Sequence, residues 1–153
     1  MDRQHCACGC GHVTFDVTTA PLFRFFCHCT ICQRFNGAPY ADVVVYAADS
    51  VTPAAPGTVA FATYRPPPNV QRGKCARCGA PAMERLALPL MPKLTMVPAP
   101  MHATAARLPE PRAHVFYETR LADSDDELPK HRGYLASQLA FTRWLLAAKL
   151  GRR

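Results

Sequence analysis

The chain has 153 residues, the size of one ordinary domain, and a formal net charge of +7. Hydrophobic residues make up 49% and charged residues 19%, a balance that excludes disorder, collagen and a coiled coil. Apolar runs stay shorter than the roughly 18 to 20 residues that cross a bilayer, so we expect no membrane partner. The N-terminal residues lack a basic segment followed by an apolar run, which predicts a cytoplasmic protein.

Alternating and β-branched side chains predict a mainly β chain over the first 120 residues. Strands are predicted at residues 13–17, 22–26, 40–46, 59–64 and 114–119. Between residues 86 and 112 the frequent prolines exclude a regular helix, because each proline removes a backbone donor. This segment is therefore expected to be extended or looped.

One α-helix is predicted at the C-terminal end of the chain, over residues 135–150. Its apolar face comprises five leucines and two aromatic residues: Leu135, Leu139, Phe141, Trp144, Leu145, Leu146 and Leu150. Gly151 follows as a helix terminator. This face is interpreted as packing on the core, and a homodimer interface is the alternative.

The eight cysteines are the most informative residues, because they fall into three closely spaced groups. The groups are Cys6, Cys8 and Cys10; Cys27, Cys29 and Cys32; and Cys75 and Cys78. Such spacing is typical of zinc ligands, whereas disulfides and buried apolar thiols are the weaker alternatives. A structural zinc takes four protein ligands and a catalytic zinc three, so the groups divide naturally into four plus three, with one cysteine left over.

Charge gives little support to a nucleic-acid partner. If seven thiolates hold two zinc ions, the effective charge falls to about +4. The basic residues are also dispersed, with no long basic tract.

Three motifs together resemble those of the glutathione-dependent formaldehyde-activating enzyme family, which includes the centromere protein V relatives. The sequence CGCGHVTF from Cys8 matches C-x-C-G-x-V-x-F, and CARCG from Cys75 matches C-x-x-C-G. The middle segment from Cys27 to Tyr40, CHCTICQRFNGAPY, matches C-H-C-x-x-C-Q-R-x-x-G-A-P-Y. The resemblance runs from about Cys8 to Arg120 in both order and spacing.

The resemblance implies a β-tent of antiparallel sheets around two zinc sites, followed here by the C-terminal helix. By position, Cys8, Cys10, Cys75 and Cys78 would hold a structural zinc, and Cys27, Cys29 and Cys32 a catalytic one. The pair Cys6 and Cys8 also satisfies C-x-C-G, but only the pair Cys8 and Cys10 keeps the family's spacing to Val13 and Phe15. Cys6 is therefore treated as extra. The zinc-binding domain would cover residues 4–122, with residues 123–153 as a helical extension packed on it.

The activity implied by the resemblance is that of a zinc-dependent carbon-sulfur lyase. It would add the thiol of glutathione to formaldehyde or to a related small carbonyl. Arg34 and Tyr40 flank the middle motif and are candidates for contacts to glutathione, with a solvated arginine and a packed tyrosine as the alternatives. His28 lies between two ligands in the sequence, and we expect it to hydrogen-bond around the metal ligands without binding the metal, or to lie at the surface. The other histidines are treated as structural or exposed.

The rival hypothesis is a non-catalytic, zinc-stabilised module that binds nucleic acid or protein. Interleaved arginines and aromatic residues would favour it, and the sequence has only one such place, Arg24 among Phe23, Phe25 and Phe26. A closed fourth protein ligand at the middle cysteine group would also favour the module.

Overall fold

The computed structural model describes residues 3–67 and 69–151, and over these residues the predicted mainly β fold with a C-terminal helix is confirmed. The strands form two sheets. The elements are β1 (Gln4–Ala7), β2 (Thr14–Val17), β3 (Phe23–Cys27), α1 (Thr30–Asn36), β4 (Ala41–Ala47), β5 (Val59–Thr63), β6 (Val70–Cys75), β7 (Pro81–Leu86), β8 (Leu94–Pro98), β9 (His114–Val115) and α2 (Tyr134–Leu150). No helix in this part of the chain is long and apolar enough to cross a membrane. The cytoplasmic location stays a prediction.

The chain divides into two compact units, each made from two separate stretches of sequence. The first unit comprises the described residues of Met1–Pro21 and Val44–Leu108. In it, β1 and β2 form an antiparallel two-stranded sheet, and the larger sheet has the order β5-β6-β7-β8-β4. Its core is built from the apolar faces of these strands and includes Val13, Phe15, Val44, Tyr46, Met83 and Val97.

The second unit comprises the described residues of Leu22–Val43 and Pro109–Arg153, and contains both α-helices. Its strand order is β4-β3-β9, and β3 pairs with β9 in parallel, with Phe26 opposite His114. This parallel pair is an exception to the antiparallel sheets that the resemblance implied. The aromatic rings of Phe141 and Trp144 on α2 pack against Phe23 and Phe25 of β3 at centroid distances of 5.2 to 5.9 Å.

The predicted core-facing leucines of α2 are in fact exposed. Leu135, Leu139, Leu146 and Leu150 each expose 55 to 71% of their surface, whereas Ser137, Ala140 and Leu145 are buried. The four leucines recur at intervals that place them along one side of a helix, so they form a second apolar stripe. The helix therefore packs through its small and aromatic residues, and the prediction of the buried leucine face was wrong.

The late strand predicted at residues 114–119 is shorter than expected. β9 covers only His114–Val115, and residues Tyr117–Thr119 form a turn of 3-10 helix. The cause is Phe116, whose φ of 52° lies in the left-handed region and turns the chain out of the strand. The hydroxyl of Ser137 on α2 accepts a hydrogen bond from the N–H of Phe116 at 2.9 Å and holds this turn.

Strands β6 and β7 carry a buried ion pair that sequence patterns alone would place in solvent. Arg72 and Glu84 lie directly opposite each other in the antiparallel register, and their side chains are 11% and 4% exposed. The nitrogen–oxygen distance between Arg72 Nε and Glu84 Oε2 is 2.9 Å. Because the charges neutralise each other, two residues typical of a surface fit inside the sheet.

Gly73 in β6 is a position where a side chain would not fit. A Cβ there would lie 2.5 Å from Cγ1 of Val59 and 2.8 Å from Cε1 of Phe61, the two residues on β5 that pack across it. We expect Gly73→Ala to lower the free energy of unfolding by about 1 to 3 kcal/mol, because the packed side chains must move. Urea unfolding measures this change.

The matched control is Gly151→Ala at the end of α2. Its φ of −73° suits any residue, and the added Cβ would lie 3.4 Å from the nearest atom. Equal stability losses in the two variants would contradict the steric account of Gly73.

Candidate metal centres

Four cysteines of the first unit bring their sulfur atoms together in one group. The Sγ atoms of Cys8, Cys10, Cys75 and Cys78 all lie within 4.8 Å of one another. Individual sulfur–sulfur distances are 3.4 Å for Cys8 and Cys10, and 3.7 Å from Cys75 to each of these two. The group joins parts of the chain 67 residues apart, at the turn before β2 and at the end of β6.

Backbone N–H groups point at these sulfur atoms from two similar turns. Val13 donates to Sγ of Cys8 at 3.3 Å, and Cys78 donates to Sγ of Cys75 at 3.4 Å. Gly11 and Gly79 have φ values of 74° and 72°, the left-handed conformation in which glycine is tolerated best. Both turns therefore present backbone dipoles that favour thiolates.

The pKa values of these thiols follow from the same contacts. Burial raises the pKa of Cys8, but the hydrogen bonds from Val13, Cys10 and Cys75 outweigh it and lower the pKa to about 6. The N–H of Cys78 is the main cause of a lowered pKa at Cys75. A metal binds the thiolate form, so the group is prepared for a cation.

The geometry fits a tetrahedral metal with four sulfur ligands. At a zinc–sulfur distance of about 2.3 Å, tetrahedral coordination requires sulfur atoms about 3.8 Å apart. The three measured distances of 3.4 to 3.7 Å are close to this spacing. None of the four thiols is in a disulfide.

The second group has three sulfur atoms, from Cys27, Cys29 and Cys32, and lies in the second unit where β3 passes into α1. Cys27 ends the strand, and Cys29 caps the helix by accepting a hydrogen bond from the N–H of Cys32 at 3.3 Å. Among the described residues, no histidine, cysteine or carboxylate joins these three sulfur atoms as a fourth ligand within 4.8 Å.

The segment that carries these three cysteines is held by the carbonyl oxygen of His28. Nε2 of Gln33 and the hydroxyl of Thr119 each donate to this oxygen at 2.8 Å. Gln33 also donates to the carbonyl of Thr119 at 2.8 Å. The glutamine of the middle motif therefore clamps the segment between two of the cysteines to the turn that follows β9.

Without a cation, the three-sulfur group resists ionisation. The neighbouring Cys29 sulfur is the first cause of a raised pKa at Cys27, and contacts with Cys27 and Cys29, together with burial, raise the pKa of Cys32. Bringing three thiolates together in a buried place requires a positive charge to balance them.

His28 is buried but is not part of the three-sulfur group. Its ring instead contacts His114, and the nitrogen atoms His28 Nε2 and His114 Nδ1 lie 2.7 Å apart. Burial, aided by the charge of Arg120, lowers the pKa of His28 to about 4. Sequence reasoning missed this pairing, because the two histidines are 86 residues apart and only the parallel pairing of β3 with β9 brings them together.

The remaining predicted site residues have different surroundings. Arg34 is exposed in the last turn of α1, and the ring of Tyr40 is 42% exposed and lies 5.2 Å from the ring of His28. Cys6 is fully buried in β1 and belongs to neither sulfur group. Arg24, which the rival hypothesis places on nucleic acid, binds both carboxylate oxygens of Asp42 at 2.7 to 2.8 Å.

Comparison with known proteins identifies the family. The model of the glutathione-dependent formaldehyde-activating enzyme family matches residues 3–119. No curated protein sequence matches the chain at a significant level. A solved structure of a Rhodobacter sphaeroides protein is similar, with a TM-score of 0.51 and 16% identity over 63% of this chain and 85% of that one. This likeness concerns the fold.

The fold and the two sulfur groups define a cysteine-rich β protein that can hold metal ions at two places. The chain belongs to the glutathione-dependent formaldehyde-activating enzyme family, whose model covers most of its length. The family resemblance of the three cysteine motifs is thereby confirmed.

The two sulfur groups should differ in their effect on stability. Cys78 is exposed, so replacing it with serine disturbs little packing, yet it removes one of four ligands that join distant parts of the first unit. We expect Cys78→Ser to unfold the metal-loaded protein or to cost several kcal/mol, since metal binding at such a site is folding free energy. Thermal melting measures this loss.

Cys29→Ser is the matched comparison, because serine is a favoured helix cap and can replace the Cys29 sulfur as acceptor for Cys32. This variant should stay folded and lose only the metal of its own group. A Cys29→Ser variant as unstable as Cys78→Ser would contradict the difference between the two groups.

Proposed function

We propose that the protein is a zinc-dependent carbon-sulfur lyase that adds the thiol of glutathione to formaldehyde or a related small carbonyl. The observation that carries this proposal is the group of Cys27, Cys29 and Cys32, three buried or half-buried sulfur atoms without a fourth ligand from the described chain. A metal held by three protein ligands keeps a position for substrate, as catalytic zinc sites do. Family membership supports the same reaction class.

The reaction needs few groups from the protein. A carbon–sulfur bond forms, the carbonyl π pair becomes a lone pair on oxygen, and the thiol proton moves from sulfur to that oxygen. When bound, zinc would supply a positive charge that stabilises the substrate thiolate. Cys27, Cys29 and Cys32 would hold the metal, while Gln33 and Thr119 fix the segment that carries them.

Arg34 and Tyr40 are proposed to contact the body of glutathione. Both are exposed side chains on the segment that carries the three cysteines. The guanidinium group of Arg34 can bind a carboxylate of glutathione through two parallel hydrogen bonds. The ring of Tyr40 offers an apolar surface with a hydroxyl at its edge.

Two zinc ions per chain are expected when the protein is purified without chelator. The sulfur groups of four and three each provide enough ligands for one ion. Metal analysis by mass spectrometry measures the content, and Cys29→Ser should contain one ion. Zero zinc together with titratable disulfides would contradict this assignment.

Glutathione should change the spectrum of a cobalt-substituted protein, because its thiolate can complete the three-sulfur group as a fourth ligand. The cobalt–thiolate bands are expected to shift at millimolar glutathione in the wild type. Cys29→Ser, with only the four-sulfur group occupied, is the matched control and should show no shift.

Catalysis is tested by the rate of S-hydroxymethylglutathione formation. The wild-type protein should exceed the uncatalysed rate, and folded Cys29→Ser should not. If glutathione changes neither the cobalt bands nor the rate, the assignment to glutathione and formaldehyde is wrong.

A further inference from the structure

Three polar side chains of the second unit form a continuous chain of hydrogen bonds that ends at His28, the residue between Cys27 and Cys29 in the sequence. Oδ2 of Asp126 lies 2.8 Å from Nε2 of His114, and Nδ1 of His114 lies 2.7 Å from Nε2 of His28. His114 and His28 are 2% and 3% exposed.

The carboxylate of Asp126 is held in one orientation by three donors besides His114. Its Oδ1 accepts from the N–H of Leu128 at 3.0 Å and from Nζ of Lys130 at 3.2 Å, while its Oδ2 accepts from the hydroxyl of Ser124 at 2.6 Å. Lys130 also donates to the carbonyl of Asp126 at 2.7 Å. These contacts keep the carboxylate ionised and fix the oxygen that faces His114.

This arrangement determines where the protons of the two imidazoles reside. A carboxylate only accepts hydrogen bonds, so Nε2 of His114 carries a proton, and a ring with a single proton leaves its Nδ1 as the acceptor. Nε2 of His28 then has to donate to that acceptor. His28 is consequently the tautomer with a proton on Nε2 and a bare lone pair on Nδ1.

That lone pair has no partner among the described residues, although the atom is buried. The other polar groups of His28 are satisfied: its N–H donates to the carbonyl of Val115 at 3.0 Å, and its carbonyl accepts from Gln33 and Thr119. A buried acceptor without a donor is costly, and such atoms point to a partner that the chain itself does not provide.

We propose that Nδ1 of His28 accepts a hydrogen bond from the thiol or hydroxyl of the substrate, and that Asp126, through His114, fixes the tautomer that makes this possible. This inference rests on the proposed function for the identity of that donor. In S-hydroxymethylglutathione the donor is the hydroxyl group, and in glutathione it is the thiol before its proton leaves to give the thiolate that would bind the metal. Asp126 and His114 are positioning residues, whereas His28 touches the substrate.

The surroundings of His28 indicate the side from which the ligand arrives. The rings of Tyr40, His114 and Tyr117 lie 5.0 to 5.2 Å from its ring. Tyr117 and His114 are buried, and Tyr40 is 42% exposed. Tyr40 is the most exposed of the three rings, so we expect the ligand to approach His28 from the side of Tyr40.

Asp126 lies beyond residues 3–119, the part of the chain that matches the family model. The segment after that part therefore contributes the charged end of the hydrogen-bond chain. The backbone of this segment is fixed to β9. The backbone N–H of His114 donates to the carbonyl of Pro129, and the backbone N–H of His131 donates to the carbonyl of His114, both at 2.9 Å.

Nitrogen-15 NMR of histidine-labelled, zinc-loaded protein tests the tautomers directly. In the wild type at neutral pH, His28 should give one bare nitrogen, Nδ1, and one protonated nitrogen, Nε2. His28 protonated on Nδ1 in the free wild-type protein would overturn the inference without reference to any activity.

Asp126→Asn is expected to invert both tautomers. Leu128 and Lys130 donate toward the position of Oδ1, so the amide oxygen occupies it and the amide N–H₂ faces His114. His114 then carries its proton on Nδ1 and donates to His28, whose own proton moves to its Nδ1. Unchanged tautomers in a folded Asp126→Asn protein would contradict the proposed chain.

The same variant should lower kcat for S-hydroxymethylglutathione formation by roughly 10- to 100-fold and leave KM for glutathione within about twofold, because the lost contact concerns the reacting group. Asp125→Asn is the matched control: it removes the neighbouring exposed carboxylate and should change neither the tautomers nor kcat. Zinc content and melting temperature show whether each variant is folded.

Glutathione with formaldehyde serves as the ligand probe. Its addition to the wild type should shift the Nδ1 resonance of His28, and a catalytically active protein without that shift would overturn the inference while the proposed function stands. A wild-type protein without catalysis would instead overturn the proposed function and the ligand named here. The tautomers in the free protein would still decide whether Asp126 acts through His114.

Discussion

The mutual repulsion of closely packed thiolates is the constraint on which the rest of this structure depends. Seven cysteine sulfur atoms lie in two groups whose members are within 4.8 Å of one another. A buried group of this kind is stable in its ionised form only around a cation, and the thiols of Cys27 and Cys32 resist ionisation without one. Backbone N–H groups around each group donate to sulfur atoms and so favour the thiolate form that a bound cation requires.

The two groups meet this constraint differently, and the difference agrees with the proposed division of roles. Around the four-sulfur group, two glycine-containing turns direct backbone N–H groups at Cys8 and Cys75. Around the three-sulfur group, side chains also fix the chain. Gln33 and Thr119 donate hydrogen bonds to the carbonyl of His28, and the ring of His114 contacts the ring of His28. A site with only three protein ligands leaves room for a fourth ligand that comes from a substrate.

Much of the candidate site could be predicted from the sequence, because cysteine ligands of a metal occur at short, fixed intervals. Spacing alone groups Cys6 with Cys8 and Cys10, but the family resemblance leaves it out of the ligand set, and in the structure it belongs to neither sulfur group. His114 and Asp126 could not be found in this way. Their partnership with His28 depends on the parallel pairing of β3 and β9 and on the chain path after Phe116, and neither leaves a local pattern.

The fold was predictable where hydrophobic periodicity is strong and not where charges are buried or chain segments are short. β2 to β5 and α2 follow their predicted positions within one or two residues. β6 and β7 were missed because Arg72 and Glu84 resemble surface residues until their ion pair is known. The helix α1 was missed because it has only seven residues and its cap is a cysteine. The leucines of α2 were misplaced because helical spacing defines a face but not the direction in which it points.

X-ray absorption spectroscopy at the zinc edge tests the central claim most directly, since it counts the sulfur atoms around the metal. With both groups filled, four and three protein sulfur atoms predict an average of about 3.5 sulfur ligands per zinc, with a light atom completing the coordination. Saturation with glutathione should raise this average to about 4 as an added thiolate takes the remaining position. An average of four sulfur ligands before glutathione is added, or one that glutathione leaves unchanged, would contradict an open three-cysteine site that binds a thiol substrate.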